Sequence, residues 1–196
     1  LDITGVVALD AGASTGGFTD CLLQHGAARV YSVDAGYGQL AGSLRTDSRV
    51  VNMEKTNISD IPVLEPPALL AVADLSYLSL RKAIPVLAGV AAPGADLICL
   101  VKPLFETEKS EPRRTGRIDD PDEYKKILMN LVDFAYSSNV EVNDVAASQI
   151  TGNKGTIEFF IKMTNQPSKE IVDHSRRIKE AVEGALANPV FGVREM

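Results

Sequence analysis

The sequence predicts an α/β fold with a mostly parallel seven-stranded sheet, helices on both faces and an antiparallel hairpin late in the chain. Short apolar runs alternate with stretches of helical periodicity through the first half of the chain, as in open parallel sheets. Two later apolar runs are separated by a short polar turn, which favours an antiparallel pair. The length of 196 residues, with 45% hydrophobic and 23% charged residues, predicts one globular domain over residues 1–196.

The first half of the chain supplies the parallel strands and the helices between them. Apolar runs predict strands at about residues 5–10, 29–34, 49–53, 69–74 and 96–101. Apolar residues at helical spacing predict helices at about residues 17–26, 38–46 and 79–91. The charged stretch at about 103–118, with Pro112 and Gly116, predicts a flexible loop.

The second half begins with a strong helix-start signal. Asp120 is placed to be the N-cap, Pro121 the first helical residue and Glu123 the third. Two strands follow at about 141–149 and 156–163, and the turn over 151–155 joins them. A last helix is predicted at about 168–187, with its apolar face formed by Ile171, Ile178 and Val182.

Composition limits the class of protein. No apolar run approaches the length of a membrane span and no signal peptide is present, so a cytoplasmic protein is expected. Cys21 and Cys99 lie within apolar patterns, without the spacing of a metal site, which predicts buried, reduced thiols and no metal. His25 and His174 are interpreted as surface residues of helices.

The net charge of −6 argues against a strong nonspecific grip on nucleic acid. RNA binding would therefore need a local basic patch. Candidates are Arg113, Arg114, Arg117 and Lys154, although a charged run of this kind is more often a solvated loop.

A glycine-rich turn after the first strand is the strongest functional signal. An apolar run ends at Asp10, a turn of small residues follows, and a helical pattern begins at about Phe18. This is the strand, turn and helix of a nucleotide-binding βαβ unit. The residues of this turn predicted to bind the ligand are Gly12, Ala13, Ser14, Thr15, Gly16, Gly17 and Phe18. Asp34 closes the next strand, about 20 residues after Gly12, where a carboxylate can accept both hydroxyls of a ribose.

The ligand predicted for this turn is S-adenosylmethionine (SAM) rather than NAD. The G-x-G-x-x-G pattern that receives a pyrophosphate is missing. The carboxylate of Asp10 would repel a pyrophosphate but suits a ligand with an amino group and a sulfonium centre. An NAD-dependent oxidoreductase is the alternative that these residues leave open.

Three charged residues follow or interrupt buried runs. Asp74 and Lys102 each end an apolar run, and Glu158 lies within the predicted strand at 156–163. Desolvating such groups is costly unless they meet partners, so we expect the three to converge at one edge of the sheet. The alternatives for each residue alone are a structural ion pair or a helix cap.

Several ordered motifs closely resemble the TlyA family of FtsJ-like ribosomal RNA 2′-O-methyltransferases, whose members are often called hemolysins. The motifs are DAGASTGGFTD at 10–20, VDAGYGQL at 33–40, ADLS at 73–76, VKPLFE at 101–106 and GTIEF at 155–159. The resemblance implies a Rossmann-like SAM-dependent methyltransferase fold, with ribosomal RNA or ribosomal subunits as partner. Asp74, Lys102 and Glu158 match the last three positions of a Lys-Asp-Lys-Glu catalytic tetrad.

The resemblance also implies roles for single residues. Lys102 would activate the ribose hydroxyl, Asp34 would bind the cofactor ribose, Asp74 would face the methionine amine, and Asn57 would edge the adenine or be a plain turn residue. The first tetrad lysine lies upstream in the family, as does an S4-like RNA-binding domain, and no lysine precedes Asp10. We therefore expect this chain to bind SAM but to methylate RNA poorly unless extended upstream. The hemolysin name raises a last alternative, a non-catalytic membrane-active protein, although no segment is basic and aromatic enough to favour it.

Overall fold

The computed structural model describes residues 1–152 and 155–187. It confirms the α/β class: one seven-stranded sheet has the order β3-β2-β1-β4-β5-β7-β6. Strands β1 to β5 are parallel, and β7 lies antiparallel between β5 and β6. The strands are β1 Val7–Ala11, β2 Arg29–Asp34, β3 Val50–Glu54, β4 Ala68–Ala73, β5 Ala91–Val101, β6 Glu141–Ala147 and β7 Phe159–Thr164.

Helices cover both faces of the sheet, because alternate strand residues point to opposite sides. Ala8 and Val30 face a cluster that includes α1 and α2, whereas Leu9 and Tyr31 face a larger cluster formed with α3, α6 and α7. The helices are α1 Gly17–Gln24, α2 Gly42–Arg45, α3 Leu80–Val90, α4 Pro103–Glu106, α5 Ser110–Thr115, α6 Pro121–Ser137 and α7 Ser175–Ala187, and a 3-10 turn spans Ile58–Asp60.

Several predicted elements differ in the structure. The segment at 103–118 is not an irregular loop, because it contains α4 and α5. Pro103 opens α4, Pro112 is buried within α5, and Gly116 ends α5 at a φ of 74°. The second helix is limited to 42–45 rather than 38–46.

The last helix begins at Ser175, several residues later than predicted, because Asp173 accepts hydrogen bonds from the Ser175 N–H (2.8 Å) and Oγ (3.0 Å). Ile171 therefore lies outside the helix and is exposed, whereas Ile178 and Val182 are buried as predicted. The Asp120 cap of α6 is confirmed, since its Oδ1 accepts from the Asp122 N–H at 3.0 Å.

Two further predictions from side-chain type were wrong. Cys21 is exposed on α1, and only Cys99 is buried. His174 is buried rather than on the surface, because its ring packs beside Tyr136, with 3.1 Å between Nε2 and the tyrosine hydroxyl. No helix among the described residues is both long and apolar enough to span a bilayer.

Candidate active site

A cleft of about 670 Å³ opens at the carboxyl ends of β1, β2 and β4. The sheet order reverses at β1, which lies between β2 and β4, and ligands of open α/β sheets bind at such a point. The volume is in the usual range for small-molecule sites. Six predicted site residues line the cleft: Gly12, Ser14, Asp34, Asn57, Asp74 and Lys102.

Gly12 brings the three strand ends together. Its φ is +87°, and its N–H donates to the Val33 carbonyl at 2.8 Å. A Cβ at this position would overlap the backbone carbonyl oxygen of Asp74. The turn therefore needs glycine both for its conformation and for the close approach of β4.

The other residues predicted in the turn stabilise it without lining the cleft. Gly16 has a φ of +100°, and a Cβ there would overlap Leu44, so it allows α1 to pack closely on α2. Ala13 donates its N–H to Val33. The structure brings neither these two residues nor Thr15, Gly17 and Phe18 to the wall of the cleft.

Asp34 is held rigidly at the end of β2. Its Oδ2 accepts from the Ser14 N–H at 2.8 Å, and its Oδ1 accepts from the Gly36 N–H at 2.6 Å. Ser14 can donate in this direction because it adopts a left-handed conformation, with a φ of 48°. A carboxylate has about four lone-pair positions, so two remain for hydroxyl groups of a ligand.

Asp10 does not lie at a strand tip, and it is closed off from the cleft. It lies inside β1 with no exposed surface, and its Oδ2 accepts from the Thr19 hydroxyl at 2.6 Å. Burial, helped by the charges of Asp74 and Asp34 and opposed by the hydrogen bonds from Thr19, raises the pKa of this carboxyl to about 6. Asp10 does not line the cleft, so it can influence a cation bound there only through charge.

The buried Asp10 predicts a pH-dependent loss of stability. Its carboxyl ionises near pH 3.9 in the unfolded chain and near 6 in the folded protein. Between these values the folded state holds the proton more tightly, so stability falls as pH rises, by about 3 kcal/mol in total. We expect urea unfolding from pH 4 to 7 to show this slope, and Asp10→Asn to lack it. Parallel pH curves for the two proteins would contradict the assignment.

Lys102 and Asp74 form an ion pair at the edge of the cleft. Lys102 follows β5 and Asp74 follows β4, and the parallel pairing of these strands places both at the same edge. The distance from Lys102 Nζ to Asp74 Oδ1 is 2.5 Å, and Nζ also donates to the Ser76 hydroxyl at 2.9 Å. The lysine side chain is 18% exposed, so the ammonium is largely shielded from water.

Glu158 approaches Lys102 from the other side. It directly precedes β7 rather than lying within a strand, and the pairing of Val101 with Phe159 places it beside Lys102. Burial raises the pKa of Glu158; the charge of Lys102 lowers it and that of Asp74 raises it. Lys102 and Asp74 are therefore close enough to Glu158 to affect its ionisation.

A second cavity, of about 460 Å³, meets the first at Lys102. Both cavities are lined by Ser76, Tyr77 and Lys102, and the second also reaches Glu158 and Arg113. The lysine thus lies between two spaces, each of which can hold a ligand.

Sequence reasoning missed Ser76 and the aromatic pair at the mouth of the second cavity. Tyr77 is 91% exposed, has a φ of 63°, and lies 5.2 Å from the Phe105 ring between centroids. A single exposed tyrosine gives no signal in the sequence. The two rings come together only because the loop after β4 lies close to the segment after β5.

Only one of the four basic residues predicted to contact RNA lines the second cavity in the described part of the chain. Arg113 lines the second cavity, Arg114 is exposed on α5, and Arg117 pairs with Asp119 at 3.4 Å. Lys154 lies outside the described residues. Within the described part of the chain, no three His, Cys, Asp or Glu side chains are grouped to hold a metal ion.

Comparison with known proteins identifies a family. Residues 1–165 match the model of the FtsJ-like methyltransferase family. The chain is 39% identical over 190 residues to the 16S/23S rRNA (cytidine-2′-O)-methyltransferase TlyA of Mycobacterium tuberculosis, covering 94% of this chain and 69% of that protein.

Solved structures agree with this match. A candidate hemolysin from Streptococcus thermophilus is 35% identical, with a TM-score of 0.89 over 95% of this chain and 68% of that one. A candidate SAM-dependent methyltransferase from Listeria monocytogenes, 16% identical, covers 85% of this chain and 93% of that one with a TM-score of 0.65, which shows a shared fold.

Proposed function

The chain belongs to the FtsJ-like methyltransferase family, and from this premise we propose that it transfers a methyl group from SAM to a ribose 2′-hydroxyl of ribosomal RNA. The observation that carries the proposal is the position of Lys102, paired with Asp74, between the two cavities. A group that activates an acceptor for methyl transfer must contact the acceptor beside the methyl donor.

The first cavity fits SAM. Gly12 lines this cavity where β4 approaches it closely, and the fixed Asp34 carboxylate offers acceptors for the two ribose hydroxyls. Asn57 is exposed at the cleft wall, where it can edge the adenine, and Asp74 can face the methionine amine. SAM supplies an electrophilic methyl group on a sulfonium sulfur.

The second cavity is the place for the acceptor nucleotide. Its opening carries the Tyr77–Phe105 pair, and bases of single-stranded RNA stack on such rings. Arg113 on the same wall can neutralise a phosphate. A nucleotide bound here would present its ribose to Lys102.

The side chains around Lys102 then handle one proton in each turnover. With its amine in the neutral form, Lys102 holds the acceptor oxygen at Nζ and takes the hydroxyl proton. The oxygen–methyl bond forms as the methyl–sulfur bond breaks, and the donor leaves as neutral S-adenosylhomocysteine. The carboxylates of Asp74 and Glu158 stabilise the ammonium that results.

Two alternatives are less well supported. The family match is to methyltransferases, which favours SAM over the NAD of an oxidoreductase. The hemolysin name of the Streptococcus thermophilus relative suggests membrane activity. The carboxylate–lysine cluster facing a nucleotide-sized cavity favours transfer chemistry instead.

The proposal is tested by methyl transfer under single-turnover conditions, with the protein in excess over ribosomal subunits and labelled SAM as donor. We expect label in the RNA and heat on titration with SAM but not with NADH. Binding of NADH without SAM binding, or leakage of liposomes without any labelled RNA, would refute it.

Asp34→Ala should weaken SAM binding by about 1–3 kcal/mol, since hydrogen bonds to a charged acceptor are lost. Isothermal titration measures the change. Asp47→Ala is the matched control, because Asp47 bonds to Arg49 outside the cleft. Equal affinities for Asp34→Ala and the wild type would remove the ribose role from Asp34.

Tyr77→Ala should reduce kcat/KM for RNA. The loss should correspond to about 1–3 kcal/mol of binding free energy, the usual contribution of stacking on one base. Tyr77→Phe should retain activity, because the ring is what stacks. SAM affinity should be similar in both variants. Wild-type kcat/KM in Tyr77→Ala would show that the base does not bind at this ring.

A further inference from the structure

Glu106 connects the two loops that carry Asp74 and Lys102, although the proposed chemistry does not use it. Its Oε2 accepts from the Ser79 hydroxyl at 2.6 Å, and its Oε1 accepts from the Leu80 N–H at 2.7 Å. Ser79 is the N-cap of α3, and Glu106 ends α4, the short helix after Lys102. The carboxylate therefore holds the start of α3 against the loop that follows β5.

The segment 74–80 is held to the segment 102–106 at three places. Lys102 contacts Asp74 and Ser76, the Phe105 ring packs against Tyr77, and Glu106 binds the start of α3. The positive φ of Tyr77 costs roughly 1–2 kcal/mol for a residue with a side chain. Such a conformation persists only where the surrounding structure imposes it. Contacts on both sides of Tyr77 meet that requirement.

The helix alone does not need Glu106. Ser79 already caps α3, because its Oγ accepts from the Arg81 N–H at 3.2 Å. Burial raises the pKa of the Glu106 carboxyl, so placing a charged group here is costly; Ser79, Leu80 and Arg81 lower the pKa in part. A costly second cap is best explained by what it does for the loops.

We propose that Glu106 is a positioning residue that fixes Ser76 and Tyr77 relative to Lys102 and thereby shapes the acceptor cavity. The inference rests on the proposed function, because the acceptor cavity is assigned there. Misplacing a catalytic contact by about 1 Å can reduce the rate roughly 100-fold.

The test compares the wild type with Glu106→Ala, Glu106→Gln and Asp120→Ala. Asp120 is the control, because it also caps a helix with a carboxylate and lines neither cavity of the site. We expect Glu106→Ala to lower kcat about 10- to 100-fold with SAM affinity unchanged, and Asp120→Ala to keep kcat while losing stability. Glu106→Gln should recover most of kcat, since an amide can accept from Leu80 and donate to Ser79.

Hydrogen exchange of the peptide over 74–80 gives a readout that does not depend on activity. Exchange should be faster in Glu106→Ala and unchanged in Asp120→Ala. Wild-type kcat and exchange in Glu106→Ala, or an equal kcat loss in Asp120→Ala, would overturn the inference. If the wild type transfers no methyl group, the proposed function fails, and the exchange data alone decide whether Glu106 holds the loop.

Discussion

Lys102→Ala should reduce methyl transfer by roughly 10²- to 10⁴-fold, the usual contribution of a positioned acid–base group. The lysine lines both cavities and contacts Asp74 and Ser76, so its amine lies beside both the proposed methyl donor and the proposed acceptor. SAM affinity should change little, because Lys102 is assigned to the acceptor. The loss should therefore appear in kcat, measured with labelled SAM.

Lys162→Ala is the matched control for this variant. Lys162 is a strand lysine paired with Asp96 at 3.5 Å, and it lines neither cavity. It should keep wild-type transfer. Full activity of Lys102→Ala would show that the acceptor is activated by another group.

Gly12→Ala should disrupt both the fold of the turn and the binding of SAM. The added Cβ would overlap the Asp74 carbonyl, and alanine at a φ of +87° is strained whatever the space. Strain of this kind costs roughly 1–3 kcal/mol, and the displaced β4 end would carry Asp74 with it. Urea unfolding and SAM titration measure the two effects.

Gly89→Ala gives the comparison. Gly89 lies in α3 without a positive φ, and a Cβ there meets nothing within 4 Å. Alanine should stabilise that helix by about 0.5–1 kcal/mol. Equal stability of Gly12→Ala and the wild type would mean that the turn tolerates a side chain and that its glycine has no structural role.

The parallel sheet and the placement of Asp74 and Lys102 could be predicted because both depend on local signals. A charged residue that ends a buried run marks the carboxyl end of a strand, and all parallel strands end at one edge. The sequence predicts Glu158 inside a strand, but β7 begins one residue later, at Phe159. Glu158 lies near Lys102 because β7 pairs with β5, which places Phe159 opposite Val101. The sequence around Glu158 does not indicate this pairing.

The remaining features depend on contacts between distant segments. The hydrogen bond from the Ser14 N–H to Asp34 requires the left-handed conformation of Ser14, which no residue pattern indicates. The sequence predicts Asp10 at the ligand, but β1 continues to Ala11, and the Asp10 side chain is buried beside Thr19 of α1. The Glu106 contacts join two loops, and no local pattern reveals them.

The sequence pattern does not reveal the two short helices within 103–118, for a different reason. Charge together with Pro112 and Gly116 resembles a mobile loop, yet the proline lies buried inside α5 and the glycine ends it. Proline and glycine occur at the ends of short helices as readily as they occur in loops.

Nucleoside analysis of ribosomal RNA after reaction with methyl-labelled SAM tests the central claim most directly, because it locates the transferred group. A ribose acceptor held at Lys102 predicts labelled 2′-O-methyl nucleoside from the wild type and none above background from Lys102→Ala. Label on a base, or equal 2′-O-methylation by the two proteins, would contradict the assignment.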